Sequence, residues 1–403
     1  MTRILFSGGG TGGGTYPAIS VANALTHRHP EAELLWVGSS NGIEGDLVKR
    51  AGIPFRGVLS GPLVGVGLRA IPSAVKIALG TLQALLIVAR FRPQALLMTG
   101  GWPVLPATLA CRLLGVPVVI YLPDLEPGGT IKVTSRFAEV VAANFADSAQ
   151  FFDEVEVRAC GYPLRPQVLR AAGFDASGRP LEAPPDARRE AAERFGLDLQ
   201  VPTVLVFGGS KGTSTINQAL LAHLPQVVQQ ADVIHITGRE HFEDVQRRAV
   251  SLAAAAMSGE LRDEEEKNFG RDTIDLDALI TQRYHVFDYL HTADMALALA
   301  AADVVVSRSG AGALGEYPLF GLPAVLVPLA RAWRYQIVNA DYLTERGAAL
   351  KLADDTLHDT LWPTLRTLLT DDDQRAAMAA AAAALRRPDA AACIVDVLMA
   401  VRN

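Results

Sequence analysis

Short, uninterrupted apolar runs alternate along this chain with longer stretches in which apolar residues recur every three to four positions. The first pattern predicts strands buried on both faces, and the second predicts helices that cover them. In the first half the strands fall at 3–6, 34–37, 95–98, 118–121, 140–143 and 155–159. Helices are predicted between them at 18–25, 43–51, 72–89, 107–114 and 130–137. A second series follows, with strands at 203–207, 233–236, 285–287, 304–306 and 324–327 and a helix over 214–230. Two further helices, 372–385 and 389–401, close the chain without a strand after them, so one of them is expected to cross back to the first half. Strand and helix in alternation argue for α/β architecture with parallel, doubly wound sheets, here two of them.

Three segments break the rhythm. Residues 161–166 carry two prolines and read as a hinge. Residues 173–198 are rich in Ala, Pro, Arg and Glu and read as a surface helix and loop rather than core. Residues 253–277, with Glu264-Glu265-Glu266-Lys267, read as a solvated insertion.

With 403 residues, 50% of them hydrophobic, the chain is long enough for two cores. A net charge of −6 argues against a nucleic-acid partner. Cys111, Cys160 and Cys393 are scattered, lack metal-ligand spacing and fit a reducing cytosol. The first residues enter a strand directly, so no secretory leader is expected. The apolar helix at 72–89 is interrupted by Lys76 and Gln83 and falls short of the ~20 residues that span a bilayer. Membrane contact, if made, is then expected at a surface: the apolar loop 63–68 is followed by the basic residues Arg69 and Lys76.

The chemistry gathers where strands end. Between Ser7 and Pro17 stand Gly8, Gly9, Gly10, Thr11, Gly12, Gly13 and Gly14, six glycines in seven positions. Glycine lets the backbone approach a ligand closely, and the N-terminus of the following helix favours an anion. A phosphate or pyrophosphate is expected there; a plain tight turn is the alternative. Gly208-Gly209-Ser210-Lys211-Gly212 repeats the arrangement after the strand 203–207, with Ser210 as a direct phosphate donor. Glu316, in the first turns of the helix after Arg308-Ser309-Gly310, can accept from the two hydroxyls of a ribose. It reads equally well as an acid favoured by the helix dipole. Gln336 and Asn339 share one helix face and can read sugar hydroxyls, or form an ordinary polar face. Asp124 and Glu126, after the strand 118–121, stand where a catalytic base would stand; loop solubility is the alternative. Asp371-Asp372-Asp373 reads as a helix cap, and no metal site is expected.

Taken in order, these pieces resemble one family. They are Gly9-Gly10-Thr11-Gly12-Gly13, Tyr16-Pro17-Ala18, Gly100-Gly101, Pro127-Gly128, Gly161 with Pro163 and Arg165, the 208–212 turn, Arg308-Ser309-Gly310, Glu316, Gly321-Leu322-Pro323, and Gln336 with Asn339. The family is that of the peripheral transferases which add N-acetylglucosamine to undecaprenyl-pyrophosphoryl-N-acetylmuramyl-pentapeptide (lipid I) in peptidoglycan synthesis. The resemblance implies a GT-B fold, two Rossmann-like domains facing a cleft. The first would be an acceptor-binding, membrane-associating domain at 1–163, joined by a returning helix at 388–403. The second, at 164–387, would bind the UDP-sugar. The acceptor pyrophosphate would lie on Gly10 to Gly14 and on Gly100 and Gly101. Arg165 and Ser210 would hold the donor diphosphate, backbone around Leu290 the uracil, Glu316 the ribose, and Gln336 the sugar, with Asn339 a further residue of the donor site.

The resemblance further implies UDP-N-acetylglucosamine and lipid I as substrates, no cofactor, and the inner face of the cell membrane with other wall-synthesis proteins as partners. The chain departs from the family pattern at Gly14, where a histidine is usual, at Asp124, where the family has Asn, and at Tyr335, where it has Gln. With Gly14 lacking a side chain, Asp124 is the expected base and Glu126 the reserve. Three other readings stay open: a transferase with another lipid or small-molecule acceptor, a catalytically silent sugar-nucleotide-binding scaffold, and a sugar-nucleotide epimerase.

Overall fold

The structure, a computed structural model, describes residues 2–9, 12–42, 44–62, 70–209, 212–258, 276–329 and 334–402. Two compact units divide the chain. The first comprises Met1–Leu169, Phe174–Leu181 and Arg387–Asn403, and the second Arg170–Gly173 and Glu182–Arg386.

The first unit is built on β1 (Arg3–Ser7), β2 (Glu33–Ser39), β3 (Phe55–Val58), β4 (Ala95–Met98), β5 (Val118–Leu122), β6 (Val140–Ala143) and β7 (Glu156–Ala159). They form one parallel sheet in the order β3-β2-β1-β4-β5-β6-β7. Successive side chains of a strand point to opposite faces, and the core divides accordingly. Ile4 and Phe6 of β1 face one cluster with Trp36, Leu97 and Tyr121, covered by helices Gly12–Arg28 and Ala390–Val401. Leu5 faces the other with Val37, Met98 and Ile120, covered by helices Ala70–Phe91 and Val104–Leu113. The last helix thus completes the first unit's core, with Ile394, Val395 and Leu398 fully buried.

The second unit holds β8 (Thr203–Phe207), β9 (Asp232–Ile236), β10 (Tyr284–Phe287), β11 (Val304–Ser307), β12 (Ala324–Leu326) and β13 (Ala349–Lys351). All are parallel, in the order β10-β9-β8-β11-β12-β13. In each sheet the winding direction reverses beside the first strand, between β1 and β4 and between β8 and β11. Ligands of doubly wound sheets bind beyond the carboxyl ends at such a reversal.

Several expectations are corrected. The sheet-edge strands β3 and β13 lack the continuous apolar run that marks a buried strand; β3 has two exposed residues. The first helix begins at Gly12 rather than at residue 18, so three glycines and Pro17 lie inside it. The expected helix at 214–230 is two helices, Ser214–Ala222 and Leu224–Val228, broken at His223 ahead of Pro225. Within 173–198, helix Ala187–Phe195 is not merely superficial. Ala191 and Phe195 are buried, and Arg188 makes a bidentate pair with Asp303 at 3.0 and 2.8 Å. The polar insertion starts later than expected, because helix Phe242–Met257 occupies its first part. Glu264 to Lys267 lie outside the described residues.

Cys160 and Cys393, 233 residues apart, form a disulfide between the stretch after β7 and the last helix. The sequence, whose three scattered cysteines fit a reducing cytosol, does not announce this pairing. Cys111 is free and buried, and burial pushes its thiol up to about 12. Helix Ala70–Phe91 is also longer than expected: its Pro72–Phe91 segment is apolar and long enough to cross a membrane. One of its faces, however, packs into the first unit's core through Ile77, Ala84 and Val88.

Candidate active site

In the first unit, the loops after β1, β4 and β5 lie side by side because those strands are neighbours. The first loop is crowded against the second. A Cβ on Gly8 would overlap Thr99 Oγ1, one on Gly9 would come within 2.5 Å of the Glu44 carboxyl, and one on Gly101 would overlap the Gly9 carbonyl. Gly100 and Gly101 have φ of +95° and +81°, which side-chain-bearing residues rarely adopt. The glycines are therefore required by close approach. Gly12, Gly13 and Gly14 form the first turn of helix Gly12–Arg28, whose leading N–H groups have no partner inside the helix. A Cβ on Gly14 would stand 3.3 Å from Thr99 Oγ1. That hydroxyl is buried and has no hydrogen-bond partner among the described residues. Gly10 and Thr11 lie outside the described residues.

The loop after β5 carries the two acids. Asn144 Nδ2 donates to Pro123 O at 2.6 Å and Ser148 Oγ to Leu125 O at 2.9 Å, pinning it on either side of Asp124. Asp124 is half-buried. Its charge acts on the buried Tyr121 hydroxyl, which burial first, and then Tyr162 and Asp124, hold far above the ordinary tyrosine range. Glu126 is paired with Lys132 at 3.2 Å. Arg165 belongs to this unit, with its guanidinium 5.4 Å from the centre of the Tyr16 ring.

In the second unit the loop after β8 turns at Gly209 and Gly212, with φ of +87° and +72°. Ser210 and Lys211 between them lie outside the described residues. Arg308, after β11, ties four strand ends together. It donates to Thr213 Oγ1 at 2.7 Å and to Val327 O at 3.0 Å, and pairs with Asp354 at 2.6 Å. Ser309 Oγ donates to the Gln336 carbonyl at 2.7 Å, and Asn339 Nδ2 to Ser309 O at 3.2 Å. The Gln336 side-chain carbonyl accepts from Leu329 N at 2.9 Å. Asn339 is fully buried, so its amide holds the 308–312 loop rather than facing solvent. Glu316 is half-buried, its carboxylate 3.6 Å from where a Gly312 Cβ would stand. Leu290 is buried just beyond β10, three positions from β11 in the sheet order and so set apart from Glu316 and Gln336.

Residues 4–143 match the glycosyltransferase family 28 N-terminal domain and residues 203–394 its C-terminal domain. The UDP-N-acetylglucosamine–N-acetylmuramyl-(pentapeptide) pyrophosphoryl-undecaprenol N-acetylglucosamine transferase of Roseiflexus sp. is 35% identical, over 89% of this chain and 84% of its own length. The chain belongs to this glycosyltransferase family. A crystal structure of Acinetobacter baumannii MurG superposes on 99% of the chain and 100% of its own, with a TM-score of 0.71 at 24% identity. A UDP-GlcNAc 2-epimerase from Neisseria meningitidis, solved with UDP-GlcNAc, shares the fold with a TM-score of 0.63 at 14% identity, over 99% of this chain and 100% of its own. The protein is accordingly a GT-B glycosyltransferase with two Rossmann-like sheets, an N-acetylglucosaminyltransferase of the peptidoglycan family.

Sequence reasoning gave Arg308 no role and passed over Thr99 and Asp354. Asp354 follows β13, a strand with no apolar run to announce it, and Arg308 has no local signal beyond its place after a strand.

Proposed function

We propose that this glycosyltransferase moves N-acetylglucosamine from UDP-N-acetylglucosamine to the C4 hydroxyl of undecaprenyl-pyrophosphoryl-N-acetylmuramyl-pentapeptide, with inversion. The observation that carries the reading is one glycine-lined turn at the winding reversal of each sheet, suited to two substrates that both bear a diphosphate. The named activity of the 35% identical relative supplies the chemistry.

In this reading Gly10 to Gly14, Gly100 and Gly101 receive the acceptor pyrophosphate, with the Thr99 hydroxyl as a further donor. Ser210 and Arg165 hold the donor diphosphate, backbone at Leu290 the uracil, Glu316 the ribose and Gln336 the sugar. Asn339 acts by holding the loop that presents Ser309 and Gln336. The acceptor oxygen forms its bond to the anomeric carbon as the bond from that carbon to UDP breaks. The acceptor proton passes to the Asp124 carboxylate, and the turn after β8 stabilises the departing diphosphate. Asp124 is preferred to Glu126 because it stands two residues beyond β5 and replaces the family's Asn by a group that can accept a proton.

The reaction is proposed to take place on the cytoplasmic face of the membrane. The apolar loop 63–68 and Arg69 lie outside the described residues. Support comes instead from helix Ala70–Phe91, where Val75, Leu79, Leu82 and Leu86 are 55, 47, 60 and 74% exposed. Their spacing places them on one stripe, suited to the apolar boundary of a bilayer.

The test is release of UDP from UDP-N-acetylglucosamine with and without a lipid I analogue. Acceptor-dependent release with a disaccharide product is expected. Release independent of acceptor, or none at all, overturns the assignment.

A further inference from the structure

A buried polar chain runs beneath the second unit's glycine turn, in a sheet face that is otherwise apolar. His235 of β9 is fully buried, on the sheet face it shares with Val233 and with its β8 neighbour Val206. Its Nδ1 lies 2.7 Å from the Tyr284 hydroxyl and its Nε2 3.0 Å from Asn217 Oδ1. Asn217 Nδ2 in turn donates to the Thr237 carbonyl at 3.0 Å. Polar groups are costly in such a place unless each is satisfied, and here each finds a partner.

The far end of the chain explains its direction. Gly212, at φ +72°, lies directly on Thr237, and a Cβ there would overlap the Thr237 carbonyl oxygen. That oxygen therefore sits against the underside of a turn read as an anion cradle, where an unengaged partial negative charge would oppose the ligand. Asn217 engages it from the helix that follows the same turn, and Asn217 N bonds Thr213 O at 3.2 Å.

One carbonyl then dictates every donor. A carbonyl only accepts, so Asn217 must present its amide nitrogen and turn Oδ1 to His235. His235 must carry its proton on Nε2, which leaves Nδ1 to accept from Tyr284. Burial lowers the imidazole to about 3, so the ring is neutral at physiological pH and can hold this single tautomer.

We propose that Tyr284, His235 and Asn217 are positioning residues for diphosphate recognition. They engage the Thr237 carbonyl and hold Gly212 and Thr213, at the end of the turn after β8, in the form that accepts the donor's phosphates. The proposal rests on the donor-site reading given above.

The experiment compares the affinities of the full chain for UDP and for uridine, by calorimetry. Uridine lacks the phosphates and reports the nucleoside contacts and the fold. Asn217→Asp replaces the donor by a carboxylate facing an acceptor, and His235→Leu removes the group that orients Asn217. Each is expected to weaken UDP binding by about 10–100-fold, the range of a hydrogen-bonding contribution to a charged ligand, with uridine affinity held within about twofold. His235→Gln keeps one donor and one acceptor in the side chain and is expected to retain most of the UDP preference. UDP affinity unchanged in both Asn217→Asp and His235→Leu overturns the proposal. So does a parallel loss of UDP and uridine, which would mark a purely structural network. A wild-type chain that binds neither ligand overturns the donor-site reading and the proposal with it.

Discussion

Asp124 and Glu126 stand two residues apart on one loop, and their surroundings separate their roles. Glu126 pairs with Lys132, and Asp124 is half-buried, its charge acting on the Tyr121 hydroxyl and its loop pinned by Asn144 and Ser148. General-base catalysis is worth ~10²–10⁴-fold, so Asp124→Asn should lower kcat by about that factor with the Kd for UDP unchanged. Glu316→Ala should show the opposite split, weakening UDP by about 1–3 kcal/mol through the lost ribose contacts. Steady-state kinetics and UDP calorimetry on the two preparations check both. Near-normal turnover of Asp124→Asn would remove it as the base.

Asp232 shows how its surroundings tune a carboxylate. Asp232 is buried, and burial first, then the Asp198 charge, raise it to about 6 against the hydrogen bond from Asp198 N and the charge of Arg283. The folded chain therefore holds a proton that the unfolded chain releases near pH ~4. Stability from this group is present below pH ~4 and is lost as pH rises through about 6. Asp232→Asn should raise the Tm at pH 8 and leave it little changed at pH 4. An equal shift at both pH values would show that the effect is not titration.

At the scale of elements, helix Ala70–Phe91 is apolar on two faces and only one of them is used internally. Ile77, Ala84 and Val88 enter the core, while Val75, Leu79, Leu82 and Leu86 face outward. Taken together, the two faces make Pro72–Phe91 long and apolar enough to cross a bilayer. Leu79→Glu with Leu82→Glu should abolish co-sedimentation with anionic vesicles at low salt and leave UDP binding intact. Undiminished sedimentation would exclude this stripe as the docking surface. The last helix, Ala390–Val401, makes the opposite point. Its two ends differ little in pattern from any amphipathic helix, yet the Arg28–Asp396 pair at 2.9 Å and the Cys160–Cys393 bond tie it to the first unit.

At the scale of the whole molecule, two units each have a core of their own, and damage to one core should be read in that unit. Leu398 is fully buried in the first unit although it lies at the far end of the chain. Leu398→Ala should cost about 2–5 kcal/mol of that unit's stability. Denaturant unfolding measures the loss, and UDP affinity below the transition should match the wild type. A fall in both would show that the last helix serves the second unit instead.

The sequence by itself determined the alternation of strand and helix, the doubly wound class and the glycine turns after β1, β4 and β8. These features rest on contacts between near neighbours: an apolar run, a helical period, a glycine where backbone passes close to backbone. They also include the positions of Asp124 just beyond β5 and of Glu316 and Gln336 in the helices that follow β11 and β12. Only the tertiary structure decided that β4 lies beside β1, bringing Gly9 against Gly101, and that Asp354 reaches Arg308 from beyond β13. It alone joined Cys160 to Cys393 and aligned Tyr284, His235 and Asn217 under one carbonyl. Those partners are distant in the chain, and no local pattern marks them. They meet because burying two faces of each sheet brings remote segments together, and a polar group carried into that interior must find its partner there.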